Sequence, residues 1–213
     1  MTYPRYDAVL FDLLTALLDS WSLWNEVAGN ADAGRRWRSE YLSITYRTGA
    51  YKPYEMLVAE AAANVGLSPD LAKQLDARYG DLRPWPGVPE TLRALQTAGI
   101  RLGVVTNCSD RLGRIAAANV GVGLDSVITA EQAGYYKPHE RPYRLGMAAL
   151  GSEPGRCLFV AGSAYDLVGT ARVGLPTFWH DRSEMSLPAD AAPPLCRSGT
   201  IEPLLEFICA RSE

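Results

Sequence analysis

Hydrophobic residues along this chain fall into two kinds of pattern. Residues 6–11 (YDAVLF) form a short apolar run that stops at Asp12. A buried strand that delivers a polar side chain to its carboxyl end has this form. Four more runs resemble it: residues 101–107 (RLGVVTN), 126–129 (SVIT), 157–162 (CLFVAG) and 175–180 (LPTFWH). Helical patterns stand between them. Residues 89–99 place Leu92 and Leu95 on one face and end at Gly99, and residues 110–121, 141–151 and 166–174 repeat the scheme. Strand, helix, strand at this spacing predicts parallel βαβ units.

Residues 16–84 break the alternation. Aromatics, arginines and alanines recur there at helical periods, and Pro84, Pro86 and Gly87 mark the return. The predicted organisation is an α/β core built from residues 1–15 and 85–213, interrupted by a helical cap over 16–84. Residues 183–199 are rich in Pro, Ala and Ser and predict a loop, followed by a short helix over 203–211.

Composition narrows the function classes. With 47% hydrophobic and 21% charged residues, the 213-residue chain has the make-up of an ordinary globular protein. Its 21 Lys+Arg against 24 Asp+Glu give a net charge of −3 with no block of like charges, so no nucleic-acid footprint is expected. No apolar stretch approaches the ~20 residues of a membrane helix. Residues 1–12 lack the basic region and long apolar run of a secretory signal, and Cys108, Cys157, Cys196 and Cys209 match no metal spacing. The expectation is a reduced, cytoplasmic protein without membrane partners. Only two histidines exist, His139 and His180, and both are expected to be structural. A Ser-His-Asp triad or a multi-histidine metal site has little material to work with.

In an open parallel sheet, ligands bind at the carboxyl ends of the strands. Those ends carry Asp12, then Thr106 and Asn107, then Gly162, Ser163 and Asp166, while Lys137 follows the third strand. Taken singly, each has an ordinary reading: Asp12 as a turn cap, Lys137 as a surface lysine, Cys108 as a small buried residue. In this order and spacing the set resembles the haloacid dehalogenase superfamily of Rossmann-like hydrolases, across essentially the whole chain. The resemblance implies a parallel sheet with helices on both faces plus an inserted helical cap. It makes Asp12 a nucleophile that forms a covalent ester, which water then hydrolyses. Lys137 would keep Asp12 ionised and offset its crowding with Asp166. Thr106 and Asn107 would donate hydrogen bonds to the substrate. An unperturbed aspartate has a pKa of about 3.9, so beside an ammonium Asp12 is expected to be a carboxylate at neutral pH.

Departures from the superfamily narrow the chemistry. Its phosphatases read D-x-D-G-T, where the second Asp protonates the leaving group; this chain has Leu14 there. They also hold Mg²⁺ with a G-D-x-x-x-D segment whose first Asp is Gly162 here. Phosphoryl transfer loses its general acid and part of its metal cradle. Halide, a stable anion, leaves without either.

Further residues resemble the L-2-haloacid dehalogenase branch: the Trp37-Arg38 pair, Tyr136-Lys137-Pro138 followed by Tyr143, and the run from Phe159 to Asp166. This resemblance implies a hydrolase of carbon–halide bonds that takes a small anionic 2-haloalkanoic acid to a 2-hydroxy acid, with no cofactor and no metal. The substrate carboxylate would rest on backbone N–H groups after Asp12, at Leu13 and Leu14, and on Thr106. Arg38 and Asn107 would receive the halide, Asp166 with Ser163 would orient the water, and Tyr143 would lie near the site. On residue pattern alone Arg38 is equally a solvated or salt-bridged helix residue and Tyr143 a core residue. The resemblance also admits a homodimer through the cap. Ser163 stands where the branch has an amide, Leu14 where it has Tyr, and Thr15-Ala16 where it has Gly-Thr. Two alternatives therefore remain: a Mg²⁺-dependent phosphatase with the ion on Asp12 and Asp166, and a binding protein of this fold that has lost turnover.

Overall fold

The computed structural model describes residues 5–209. Six strands form one parallel sheet: β1 (Ala8–Phe11), β2 (Arg101–Thr106), β3 (Ser126–Thr129), β4 (Cys157–Ala161), β5 (Thr177–His180) and β6 (Cys196–Ser198). Their order is β3-β2-β1-β4-β5-β6. The order reverses beside β1, which places the crevice of such a sheet at the carboxyl end of that strand. Phe11 is in register with Val104 on one side and Val160 on the other, so Asp12 emerges between the ends of β2 and β4.

Successive strand residues feed opposite faces of the sheet. Val9, Phe11, Val104 and Val160 pack with helices α5 (Val88–Thr97), α6 (Asp110–Ala118) and α10 (Pro203–Cys209) through Leu92, Leu112 and Leu204. Leu10, Val105, Phe159 and Ala161 pack with α8 (Glu140–Ala149) and α9 (Asp166–Arg172) through Tyr143, Met147 and Leu167. Burial on both faces explains why the strands appear in the sequence as nearly continuous apolar runs. A one-turn helix, α7 (Ala130–Ala133), leads from β3 toward Lys137.

Four helices lie between β1 and α5: α1 (Ser20–Val27), α2 (Ala31–Thr48), α3 (Tyr54–Asn64) and α4 (Leu71–Ala77). Asp19 and Asn30 cap the first two by accepting the Ser22 and Ala33 N–H groups. A Cβ at Gly34 would stand 2.4 Å from the Asn25 Cα, so only glycine lets α1 and α2 approach this closely. Trp24, Trp37, Tyr41 and Tyr54 form their aromatic core, with the Trp24 and Trp37 rings 4.5 Å apart. The chain leaves and returns along one antiparallel ribbon: Leu18 bridges Pro84, Asp19 N–H donates to Arg83 O, and Trp85 N–H donates to Leu17 O.

The tail departs from the sequence reading. Residues 183–199 were expected to be loop, yet β6 extends the sheet along β5. Three half-exposed or exposed residues carry too short a pattern to register as a strand. Strand β5 begins at Thr177, after Leu175 and Pro176. Of the helix expected over 203–211, residues 203–209 form α10, and 210 and 211 lie outside the described residues.

Candidate active site

Asp12 leaves β1 in an extended conformation and caps a π-helical turn over Leu13–Leu17. Its Oδ2 accepts from Thr15 N–H at 2.8 Å, Thr15 Oγ1 at 2.5 Å and Ala16 N–H at 3.2 Å. The turn-capping reading and the functional one thus fall on the same side chain. Its other oxygen, Oδ1, accepts from Lys137 Nζ at 2.7 Å. Lys137 Nζ also lies 2.9 Å from Asp166 Oδ1, which accepts the Tyr143 hydroxyl at 3.0 Å. One buried cation therefore sits between two buried carboxylates, and Asp166 Oδ2 has no partner among the described residues.

The electrostatics separate the two acids. Burial pushes the Asp12 carboxyl up, but the Lys137 charge and the hydrogen bonds from Lys137 and Thr15 outweigh it and hold the group below its ordinary value. Burial pushes Asp166 up to about 6, against the pull of Lys137 and Tyr143. Burial disfavours the Lys137 ammonium, yet Asp12 and Asp166 together keep its pKa above the ordinary value. At neutral pH Asp12 is an anion and Lys137 a cation.

Arg38 is buried on α2, with its guanidinium packed over the rings of Trp24 (4.9 Å), Tyr41 (5.5 Å) and Trp21 (5.8 Å). The ordinary reading of a solvated or salt-bridged arginine does not hold. Among the described residues it has no carboxylate partner, and its Nε and Nη1 are unpartnered. A buried charge without a counter-ion is costly, so this cation is suited to receive an anion.

One cavity of about 30 Å³ is lined by Asp12, Lys137 and Asp166 together with Arg38, Thr106 and Asn107; Leu14 and Ser163 face it as well. Leu13 and Tyr143 do not. Leu13 is buried in the core, and Tyr143 reaches the site through its hydroxyl on Asp166. Asn107 is also occupied: its Oδ1 accepts Lys137 N–H at 2.7 Å and its Nδ2 donates to Lys137 O at 3.2 Å, which fixes the lysine backbone. Thr106 Oγ1 donates to Cys108 Sγ at 3.2 Å, and Ser163 Oγ accepts Tyr165 N–H at 3.3 Å. His139 caps α8 by accepting Arg141 N–H.

Sequence reasoning missed Thr15, which appeared only as a departure from a family pattern. A signal lay in Asp12 itself, because an N-cap acid accepts the backbone N–H two or three residues on. It also missed the part Tyr41 plays. Tyr41 stands one helical turn after Arg38, lines the cavity, and donates its hydroxyl to Asn107 O at 2.8 Å.

The residues do not fit a Mg²⁺ ion. The ammonium of Lys137 already spans Asp12 and Asp166. A Cβ at Gly162 would stand 2.2 Å from Ala16 N and Thr15 C, so the backbone fills the place a second carboxylate would need. Hard divalent ions require several oxygen ligands in open, near-octahedral geometry.

A sequence profile of the haloacid dehalogenase-like hydrolases matches residues 6–174. The chain is 29% identical over 195 residues to an (S)-2-haloacid dehalogenase of Pseudomonas sp. (strain YL), covering 82% of each chain. It is also 29% identical over 198 residues to a phosphoglycolate phosphatase of Xylella fastidiosa (strain Temecula1 / ATCC 700964), covering 87% of this chain and 85% of that one. A crystal structure of a dehalogenase with intermediate complex superimposes with a TM-score of 0.82 at 25% identity, covering 97% of this chain and 99% of that one. The chain belongs to the haloacid dehalogenase-like hydrolases.

Proposed function

We propose that this haloacid dehalogenase-like hydrolase displaces halide from small 2-haloalkanoic acids through an aspartyl ester and releases the 2-hydroxy acid. Identity alone does not choose between a dehalogenase and a phosphatase, since relatives of both kinds reach 29%. The carrying observation is the pairing of Asp12, held ionised on Lys137, with a buried Arg38 that has no carboxylate partner among the described residues, in one small cavity. Leu14 faces that cavity where a phosphatase needs a proton donor, and Gly162 leaves no room for the metal-binding acid. The reaction takes no cofactor.

Asp12 Oδ1 is the attacking oxygen in this mechanism, because Oδ2 is pinned by three donors. Oδ1 bonds to C2 as the carbon–halogen bond breaks, with inversion, and the electron pair leaves on halide toward Arg38, while Asn107 holds the Lys137 backbone in place. The Thr15 and Ala16 N–H groups are already taken by Asp12, so the substrate carboxylate rests on the N–H group of Leu14, which faces the cavity at the start of the turn, and on Thr106 once its hydroxyl turns from Cys108 Sγ. Water then attacks the Asp12 Cγ and passes a proton to Asp166, whose Oδ2 has no partner among the described residues. Negative charge develops on Asp12 Oδ2, where the Thr15 and Ala16 donors already point. Collapse of this intermediate breaks the Cγ–Oδ1 bond, and Asp166 returns its proton to the departing alkoxide oxygen, which gives the 2-hydroxy acid and frees the Asp12 carboxylate. Helices α1–α4 act as the cap that excludes water from this step. Four cysteines without disulfides suit the reducing cytoplasm.

The test is halide release from chloroacetate, bromoacetate and 2-halopropionates in the presence of EDTA. Release at an undiminished rate is expected. In heavy-oxygen water the first turnover should give unlabelled product, because that oxygen comes from Asp12. Full label in the first turnover excludes the ester. Phosphatase activity that EDTA abolishes would favour the other chemistry.

A further inference from the structure

Two ring nitrogens from distant parts of the chain grip the turn that holds Asp12. The Trp85 indole Nε1–H donates to Thr15 O at 3.0 Å, and His180 Nδ1 lies 2.8 Å from Ala16 O. A carbonyl can only accept, so Nδ1 carries the proton of the His180 ring. The opposite nitrogen, Nε2, is buried without a partner among the described residues, and burial holds the imidazole pKa below its ordinary value. His180 is therefore a neutral ring with one fixed tautomer.

The peptide linking Thr15 to Ala16 is engaged on three sides. Its oxygen accepts from Trp85, its N–H donates to Asp12 Oδ2 at 3.2 Å, and Gly162 closes against its face. A peptide whose oxygen accepts a hydrogen bond has a more polarised N–H, and is thereby a better donor. Trp85 itself is held from two directions. Its backbone N–H is bonded to Leu17 O in the ribbon that leads back from α4, and the Arg182 guanidinium lies 4.5 Å over its ring.

We infer that Trp85 and His180 are positioning residues for the Asp12 reaction: they hold the Thr15–Leu17 backbone so that the Thr15 and Ala16 N–H groups stay on Asp12 Oδ2 during attack and ester hydrolysis. They touch neither substrate nor reacting atoms. This rests on the proposed function, and it adds that the nucleophile is steadied by the segment on which the inserted helices return to the core.

Trp85→Phe keeps the ring and removes the donor. Two measurements are made on it and on His180→Leu, with His180→Gln as the variant that keeps a side-chain donor. The first is amide hydrogen exchange at Ala16, which needs no substrate; exchange should accelerate about fivefold or more in Trp85→Phe and His180→Leu. The second is turnover of 2-chloropropionate, where kcat should fall about fivefold with KM unchanged and His180→Gln should recover part of the loss. Unchanged exchange and kcat in Trp85→Phe and His180→Leu overturn the inference. A KM rise at constant kcat does too, since it would mark a substrate contact. Should Trp85→Phe fail to fold, the two His180 variants decide by the same criteria. If the wild-type protein releases no halide but exchange still accelerates, the dehalogenase reading falls and the positioning stands.

Discussion

The two oxygens of Asp12 live in different surroundings. One is locked by the Thr15–Ala16 donors and the other, among the described residues, meets only Lys137, so a symmetrical carboxylate has two chemically distinct oxygens, and the proposed attack has an assigned face. Asp166 differs again. Its folded pKa of about 6 lies above the ordinary 3.8. Its contribution to stability is therefore fully present below pH 3.8 and is lost as pH rises through about 6, while its capacity to accept a proton from water grows over the same range. We expect the ester-hydrolysis rate to fall below about pH 6, and Tyr143→Phe, which removes a donor to the carboxylate, to move that limb to higher pH. A flat profile between pH 5 and 7 in single-turnover hydrolysis would oppose this. Arg38 poses the reverse trade. Arg38→Met replaces a buried cation that has no carboxylate partner among the described residues with a flexible apolar chain. Halide release should fall by at least tenfold while the unfolding free energy in urea stays level or rises by about 1 kcal/mol. A loss of stability with activity retained would contradict the anion-receiving role. At this scale the sequence was most legible where a charge ends an apolar run, as at Asp12. It was silent where a distant indole donor contributes, such as that of Trp85.

At the scale of elements, the decisive contact is between the turn after β1 and the end of β4. Gly162 touches the Thr15–Ala16 peptide so closely that any side chain must displace it. Gly162→Ala is expected to cost about 2 kcal/mol in unfolding free energy and to loosen the donors on Asp12, lowering kcat more than it raises KM. Equal stability and activity would show that the turn has slack. The sequence suggested only that a carboxylate was missing at 162; the reason, a peptide plane filling the space, needed the tertiary arrangement. Helix α2 gives the same lesson. Its periodicity placed Arg38 on a helix, but helical spacing cannot tell an aromatic box from a solvated face, because Trp21 and Trp24 come from α1.

Across the whole molecule, the α/β architecture was legible because both faces of the sheet are covered, which makes each strand a conspicuous apolar run. The tail was not, since β6 is a short edge strand with one exposed and two half-exposed residues and depends on β5 for its pairing. A net charge of −3 offers no long-range attraction to an anionic substrate. On the proposed function, capture rests on the buried cations Arg38 and Lys137, and salt should affect the rate of encounter little.

The ribbon joining Leu18 to Pro84 has one more consequence. Because departure and return lie side by side, the excursion between them is a closed loop whose ends the core already holds together. Closure entropy grows only logarithmically with loop length, so lengthening or shortening this excursion changes its cost by roughly 0.6 kcal/mol per doubling. Evolution can thus exchange the inserted helices, and with them the shape of the pocket roof, almost without disturbing the parent sheet. The limit on such exchange is set at the seam itself, where Trp85 must still arrive with its indole on Thr15.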